Sequence, residues 1–354
     1  MHVLEKMKSP LNTLAENIDQ HAANFWLQKM NSLWSLNQAL GKVVAKEQRA
    51  EHMVSLTLQC NRHFKMGQAG QHHPIFVSIN GIRYERSYSL TQLDAQHVVL
   101  TVKAVPQGKV SSWLATHTNV GDILEFGQPY GDMQLPVQPQ PLILLAAGSG
   151  ITPMWSLLQA LVKNEQMTQA PVQLLYWVSC YADAAFKPQF EALAQQYPNF
   201  SYQIFYTQEK DAGERLNGAH ADLISNLEHS AVYACGPSGF VVQAEQLFNT
   251  AQNFKSEAFS LSSLAAAESG FVNVTLLKSK KVLIIPKGQS ILSSLEQQNI
   301  KPTHGCRMGI CHKCVCNKVE GSTKNLVDGG ENKEPGNLLK ICVNSAQSDL
   351  IIDL

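Results

Sequence analysis

The stretch Cys306-Arg-Met-Gly-Ile-Cys311-His-Lys-Cys314, with Cys342 further along, decides the architecture of this chain. Its C-x4-C-x2-C spacing, completed by one distant cysteine, is a ligand spacing of four-cysteine [2Fe–2S] clusters. Three thiolates on one tight loop and a fourth from a later strand can surround two irons. A structural zinc site is the alternative, but zinc usually takes two C-x2-C pairs and this stretch offers one. The spacing therefore predicts an iron–sulfur domain.

Two glycines and a fifth thiol accompany these ligands. Gly305 and Gly309 suit a sharp loop, because glycine accepts left-handed backbone torsions without penalty. Cys316 follows Cys314 by two residues and competes as a ligand only if the strand that leaves the loop keeps it near the irons. We favour the simpler interpretation that Cys316 is a small thiol in the core.

The composition excludes several classes of protein. A chain of 354 residues suffices for two or three domains, at roughly 100 to 200 residues each. Its 28 Lys+Arg balance 28 Asp+Glu, so no long-range cationic field exists to attract nucleic acid. The first residues lack the apolar core of a secretory signal, and no apolar run approaches the ~18 residues needed to span a bilayer. We therefore expect a cytoplasmic protein.

Hydrophobic period and punctuation divide the chain into blocks. Residues 1–40 have helical spacing and predict an N-terminal helical extension. Residues 41–138 contain short alternating runs separated by Gly, Asn and Pro, which predict an antiparallel β-barrel. In residues 139–262, buried runs alternate with helical stretches, which predict a parallel α/β nucleotide domain. After a linker at 261–270, residues 270–354 predict a hairpin, a short helix from Ser290 and the cysteine loop, hence an α+β domain.

The N-terminal block carries an apolar face. Four side chains lie at spacings of three and four residues: Trp26, Met30, Leu33 and Trp34. Such a face either contacts a membrane or a partner, or packs on the barrel that follows. We favour packing on the barrel, because that is the commoner arrangement.

A second motif, Arg86-Ser87-Tyr88-Ser89, falls near the end of a strand in the barrel block. Arginine can hold a phosphate, a tyrosine ring can cover a flavin face, and a small hydroxyl can approach flavin N5, where hydride arrives. Further on, a glycine and two hydroxyls precede a probable helix and form a natural pyrophosphate seat. These are Gly108, Ser111 and Ser112. Together the two elements predict a flavin site.

A third motif lies at the first strand of the α/β block. Gly148, Gly150 and Thr152 make a glycine-rich turn before a helix, where the backbone can approach a pyrophosphate. The last strand predicted in this block ends in Cys235-Gly236-Pro237, at the carboxyl edge where ligands of open α/β sheets bind. The two elements predict a dinucleotide site.

With these motifs, residues 41–354 resemble the ferredoxin–NADP reductase superfamily followed by a plant-type ferredoxin (β-grasp) domain. The resemblance implies that Arg86 contacts flavin phosphate, Tyr88 stacks on the isoalloxazine and Ser89 lies near N5. It also implies that Ser111 and Ser112 meet the pyrophosphate, that Gly148, Gly150 and Thr152 receive NAD(P)H, and that Cys235 lies by the nicotinamide. The domain order is that of FMN-containing dioxygenase reductases, but residues 127–131 resemble a G-P-x-G element of FAD-binding relatives, which favours FAD.

The resemblance leaves NADPH and NADH open. Relatives that use NADP place arginines after the second and third α/β strands, where a guanidinium grips the 2′-phosphate. This chain has Ser179-Cys180 and Thr207-Gln208-Glu209 there, with no acidic residue that would clearly select NADH. Lys210, Arg215 and His220 are the candidates to replace the missing arginines.

Within the superfamily, three segments of this chain resemble reductases of bacterial fatty-acid and acyl-CoA desaturases. They are Asn24-Phe25-Trp26, Leu33-Trp34-Ser35-Leu36 and the run from Arg307 to Cys316. The resemblance implies electron transfer from NAD(P)H through FAD and the [2Fe–2S] cluster to an oxygenase-type acceptor. That acceptor is a membrane desaturase or, alternatively, a Rieske-type or other hydroxylase. It also allows a peripheral contact with the inner face of the membrane. A redox sensor without turnover is an alternative of another class.

Three histidines invite a metal or base role: His72, His73 and His304. No carboxylate accompanies them at ligand spacing in the sequence, so we expect packed or solvated histidines.

Overall fold

Alternating apolar residues close a six-stranded antiparallel barrel in the first half of the chain. The computed structural model describes residues 19–105, 108–208, 214–259 and 270–354. The barrel strands are β1 Ala39–Ala50, β2 Met53–Cys60, β3 His72–Ile79, β4 Ile82–Gln92, β5 His97–Lys103 and β6 Ile123–Phe126, in the order β1-β2-β5-β4-β3-β6. Inward-facing side chains such as Leu56, Ile75 and Leu100 are fully buried. The predicted barrel is confirmed.

The next domain is a five-stranded parallel sheet. Its elements are β7 Leu142–Ala147, β8 Val172–Val178, β9 Phe200–Tyr206, β10 Ala231–Gly236 and β11 Asn253–Ala258, in the order β11-β10-β7-β8-β9. Strand order reverses between β7 and β10, and ligands of open α/β sheets bind at such a switch point. β10 ends there in Gly236, and Gly148 directly follows the end of β7. The sequence did not predict β11, because Asn253-Phe-Lys-Ser-Glu-Ala is too polar for a buried strand.

Helices connect and cover these strands. They are α1 Gln20–Met30 before the barrel, α2 Lys109–Thr116 after β5, α3 Ile151–Lys163 after β7, α4 Lys187–Gln196 after β8, and α5 Ser238–Leu247 after β10. The apolar side of α3 packs against the sheet through Met154, Leu157 and Leu161. This packing fixes the start of α3 beside the carboxyl end of β7, where the glycine-rich turn lies.

The C-terminal domain has one helix on a mixed sheet, as expected for the ferredoxin-like fold. Its elements are β12 Phe271–Leu276, β13 Lys281–Pro286, α6 Ile291–Gln297, β14 Val315–Glu320, β15 Thr323–Asn325, β16 Glu331–Asn332, β17 Asn337–Lys340, β18 Asn344–Ala346 and β19 Leu350–Ile352. The main sheet has the order β13-β12-β19-β14-β17. The Ser290 hydroxyl caps α6 by accepting a hydrogen bond from the Ser293 N–H at 3.2 Å. Most of the predicted linker, residues 261–269, lies outside the described residues.

The N-terminal block differs from the prediction. The helix ends at Met30, and residues 31–38 form turns instead of continuing it. Asn24, on the buried side of the helix, holds the turn by accepting hydrogen bonds from Leu36 N at 2.8 Å and from the Ser35 hydroxyl. Trp26 and Met30 consequently face outward, 68% and 76% exposed. The expected packing of the apolar face on the barrel is therefore wrong for these side chains.

Candidate functional site

One cavity of about 590 Å³ lies where the barrel, the α/β domain and the cysteine loop meet. Many of the residues predicted to bind cofactors line it: Arg86, Tyr88, Ser89, Gly108, Ser111 and Thr152. Cys306 and Met308 of the cysteine loop line it too. Ser112 does not, since its hydroxyl turns away and donates to Val105 O at 3.1 Å. The fold thus gathers three sequence motifs around one space.

The cation in this cavity is poised for an anion. The Arg86 guanidinium donates to Glu85 O at 2.7 Å, and its pKa lies below the ordinary value because it is buried and because Arg307 lies nearby. Arg307 is ion-paired with Glu296, which lines the same cavity, so Arg86 is the guanidinium that a phosphate would meet. Gly108 is the N-cap of α2 and its own N–H donates to Val105 O at 2.8 Å, but no side chain caps the first turn of α2, so the backbone N–H groups of that turn can meet an anion. These residues fit a flavin phosphate.

The Tyr88 ring forms another wall of the cavity. Burial raises the pKa of its phenol well above the ordinary value, so the hydroxyl is protonated at neutral pH. A neutral, partly buried ring offers an apolar face to a flat heteroaromatic system. Tyr88 therefore fits its predicted stacking role.

Ser89 is held by a buried chain of polar groups that the sequence did not reveal. Its hydroxyl lies 3.0 Å from His72 Nδ1, and the opposite ring nitrogen, Nε2, contacts a carboxylate oxygen of Glu257. All three residues are less than a tenth exposed. The expectation that His72 lacks a carboxylate is wrong, because β11 brings Glu257 across 185 residues of sequence. The chain fixes the Ser89 hydroxyl at the cavity wall.

Glu257 also reaches a second, smaller cavity of about 360 Å³. This space lies between the α/β domain and the cysteine loop, and Met133, Met308 and Lys340 help to line it. The Ser89–His72–Glu257 chain therefore joins the main cavity to a second cavity beside the cluster ligands.

The glycine-rich turn meets the last predicted strand in direct contact. Gly150 lies so close to β10 that a Cβ atom would stand 2.0 Å from Cys235 O, so only glycine fits. The Thr152 hydroxyl donates to Ser149 O at 3.1 Å and closes the turn. Both strand ends thus meet at the switch point, as predicted for a dinucleotide site.

Cys235 itself has no exposed surface and packs in the apolar core. Burial, and secondarily the Glu257 charge, raise the pKa of its thiol well above the usual value. The Cys235 thiol lines neither of the two cavities described above. The backbone carbonyl oxygen of Cys235 is the atom that lies against Gly150 of the nucleotide turn. Gly236 and Pro237 continue into α5, with Pro237 at its N-cap.

Sequence reasoning missed several residues of the main cavity, and two of them are Phe259 and Lys103. Phe259 follows β11, and its N–H donates to Gly236 O at 2.9 Å, which sets its ring against the cavity. Lys103 ends β5 and extends toward the α/β domain, with its ammonium 3.7 Å from Asp183. An aromatic residue directly after the last strand was the available signal for Phe259.

The four ligand cysteines come together as two pairs. Cys314 Sγ and Cys342 Sγ lie 3.0 Å apart, while Cys306 and Cys311 exchange N–H···S contacts of 3.2 and 3.3 Å. Within the described ranges no three His, Cys, Asp or Glu side chains group around one ion. Each iron of a [2Fe–2S] cluster takes two thiolates, so two adjacent pairs fit a two-iron cluster.

Backbone geometry supports the loop. Gly309 has a φ of +75° and faces Val343, as its predicted role requires. Gly305 instead is not left-handed, and a Cβ there would stand 2.8 Å from Glu85 Oε1 and 2.9 Å from Cys311 Sγ, so a side chain would displace these groups. Cys316 points into the apolar core beside Leu339, where burial raises the pKa of its thiol to about 12.

Contacts between the barrel and the cysteine loop hold the cluster ligands at the flavin cavity. Lys313 Nζ in the cysteine loop lies 2.7 Å from Glu85 Oε1 in the barrel. Within the barrel domain, the Tyr130 hydroxyl contacts the Ser87 hydroxyl. Tyr130 belongs to the predicted segment 127–131. This segment pairs with β3 through His72 and does not line the main cavity.

The region that would distinguish NADPH from NADH is only partly described. Ser179 and Cys180 follow β8, but Glu209 and Lys210 lie outside the described residues. His220 is 1% exposed and packs edge-on against Trp177 and Phe205, so it is not free to meet a 2′-phosphate.

Comparison with known families matches all three domains. Residues 41–135 match the model of the oxidoreductase FAD-binding domain, residues 144–246 that of the oxidoreductase NAD-binding domain, and residues 274–346 that of the 2Fe-2S iron-sulfur cluster binding domain. The three matches confirm the predicted FAD, NAD(P)H and [2Fe–2S] cofactors.

Similar proteins span nearly the same length. The NADPH oxidoreductase of Mycobacterium tuberculosis is 32% identical over 340 residues, which cover 93% of this chain and 88% of that protein. The NADH oxidoreductase HCR of Escherichia coli is 27% identical, over 77% of this chain and 85% of that protein. The structure of phthalate dioxygenase reductase matches with a TM-score of 0.65 at 23% identity, over 93% of this chain and 99% of that one, and so shares the fold.

Proposed function

We propose that this chain, which belongs to the ferredoxin–NADP reductase superfamily and is an NAD(P)H-dependent flavin and iron–sulfur oxidoreductase, delivers single electrons to a separate oxygenase-type enzyme. One observation carries the proposal. A single cavity is lined by the flavin motif of the barrel, by Thr152 of the nucleotide turn and by Cys306 of the cluster loop. Donor, flavin and cluster sites that share one space suit a continuous electron path.

The cofactors supply the redox chemistry: a flavin takes up hydride and releases electrons singly, and the cluster carries one electron at a time. The protein binds and orients. Arg86 and the N-terminus of α2 would hold the flavin phosphates, and the Tyr88 ring would cover the flavin face. Phe259 lines the same cavity and would shield the other side of the flavin from water.

Ser89 is the residue we propose to handle a proton at the flavin site. With His72 Nδ1 3.0 Å from its oxygen, the Ser89 hydroxyl has a defined partner for donating its proton. Glu257 keeps the His72 ring in place through Nε2. Cys235 we propose as a positioning residue, because its carbonyl oxygen meets Gly150 and its buried thiol lies near Glu257.

The acceptor we propose first is a membrane fatty-acid or acyl-CoA desaturase. Support comes from the sequence likeness of the N-terminal and cluster-loop words and from the exposed apolar side chains near α1. A ring-hydroxylating oxygenase is the second candidate, favoured by 30% identity over 47% of this chain to the 2-halobenzoate 1,2-dioxygenase electron transfer component of Burkholderia cepacia.

Reconstitution with both acceptor types tests the proposal. The chain, loaded with FAD and cluster, is combined with NAD(P)H and either a desaturase in vesicles or a soluble Rieske-type oxygenase. We expect desaturated product that depends on this chain, with Cys342→Ser as the inactive control. If product forms only with the Rieske-type oxygenase, the first acceptor is wrong and the second is favoured. A preparation that fails to reduce cytochrome c from NAD(P)H would instead indicate a sensor.

A further inference from the structure

A cavity of about 600 Å³ lies on the far side of the barrel, between α1, the turn after it, and strands β1 and β2. No part of the proposed electron path uses it. Its polar wall carries three basic side chains, Lys42, Arg62 and His63, and none of the described residues that line it is acidic. Its apolar wall includes Trp34 and other side chains of the turn: Leu27, Leu33 and Leu36.

Within the described ranges, no carboxylate in this cavity neutralises the basic groups. Arg62 Nε lies 3.3 Å from His63 Nε2, and the same ring nitrogen lies 3.0 Å from Ser35 O. The ion pairs found among the described residues include neither Lys42 nor Arg62. A site with cations and no anion attracts a phosphate or another acidic group.

In α1 and the turn after it, large apolar side chains project into solvent within one short stretch. Phe25 is 54%, Trp26 68%, Met30 76%, Trp34 49% and Leu36 45% exposed. Aromatic residues next to cations are the combination found on helices that lie in a membrane interface. Lys29 on the same helix adds a further positive charge.

We propose that this region, which we name the α1 face (Phe25, Trp26, Met30, Trp34, Lys42, Arg62), binds the surface of a membrane that contains anionic phospholipid. Lys42 and Arg62 receive a lipid phosphate in the cavity, and the aromatic side chains enter the interface between headgroups and acyl chains. This proposal concerns membrane binding and not electron transfer, so it does not depend on which acceptor the enzyme serves. Its test measures binding and requires no turnover.

Binding of the full-length holoprotein to vesicles tests it. Vesicles of phosphatidylcholine alone are compared with vesicles containing a third phosphatidylglycerol, by co-sedimentation and by the emission of the tryptophans. We expect binding only to the anionic vesicles, a blue shift of emission, and weakening with salt. The double variant Lys42→Gln/Arg62→Gln should bind about thirtyfold more weakly, since each basic residue near an anionic surface contributes about 1 kcal/mol.

Matched variants decide between this and other occupants. Lys280→Gln/Lys281→Gln removes two charges at the distant β12–β13 hairpin and should leave binding unchanged. Trp26→Ser/Trp34→Ser should weaken binding and remove the blue shift. Equal binding to both vesicle types, equal loss in the hairpin variant, or unchanged binding in the tryptophan variant would each overturn the proposal. Two further results would overturn it. One is a protein that binds inorganic phosphate at this site but does not bind vesicles, and the other is a tryptophan emission that is already blue-shifted without vesicles because another part of the chain covers the side chains.

Discussion

At the residue scale, the cysteine assignment rests on two adjacent pairs and on the direction of a fifth side chain. Cys342 lies 3.0 Å from Cys314, whereas Cys316 points into the core. We therefore expect Cys342→Ser to lose the cluster and Cys316→Ser to retain about two irons and two sulfides per chain. Iron and sulfide analysis with visible absorption checks this. The reverse result would contradict the ligand assignment, and flavin content should stay the same in both variants.

His73 makes the stability of the barrel depend on pH. It is fully buried, Gly67 N donates to its Nε2 at 3.0 Å, and burial, followed by the neighbouring His72, lowers its pKa to about 4. Between pH 6.5 and 4 the unfolded chain takes up a proton at this ring and the folded chain does not. The free energy of unfolding should therefore fall by about 3 kcal/mol as the pH decreases through this window.

Denaturant unfolding at a series of pH values measures this effect. His73→Gln keeps an acceptor for Gly67 and removes the titration, so its curve should be flatter than the parent's between pH 6.5 and 4. Two parallel curves would show that His73 is not the group responsible.

At the element scale, the sequence predicted what local patterns determine. The cluster ligands, the barrel and the glycine turn at β7 follow from spacing and period, and all lie where the motifs placed them. Strand β11 was not predicted because it is polar and lies at the sheet edge, where no strong apolar run is needed. Glu257 lies on β11 and was therefore missed too, so the sequence could not predict the contact between His72 and Glu257.

Helix α1 yields a prediction that separates surface function from structure. Because Trp26 and Met30 are exposed, α1 itself contributes little buried apolar area, and deletion of residues 1–30 tests this. We expect the truncated protein to keep NAD(P)H-driven dye reduction and a melting temperature within about 5 °C of the parent. Delivery of electrons to a desaturase in vesicles should fall several-fold. A truncated protein that is strongly destabilised and also loses dye reduction would show that α1 is part of the core.

At the scale of the whole molecule, the ferredoxin-like domain is held against the barrel partly by the Glu85–Lys313 ion pair. Lys313 is 42% exposed, so the pair contributes only about 0.2–1 kcal/mol, and its role is orientation. We expect Lys313→Glu to slow cytochrome c reduction through the cluster and to leave direct ferricyanide reduction by the flavin unchanged. The double variant Glu85→Lys/Lys313→Glu should restore the rate. Absence of rescue would show that the pair does not align the domains.

The central claim is that electrons pass from NAD(P)H to the flavin and from the flavin to the cluster within one chain. Anaerobic stopped-flow absorbance after mixing the loaded protein with NAD(P)H tests it most directly. The account predicts flavin bleaching first, followed by cluster reduction at a rate independent of protein concentration. In Cys342→Ser, flavin bleaching should persist and the second phase should vanish. A cluster phase that precedes flavin bleaching, or that accelerates in proportion to protein concentration, would contradict it.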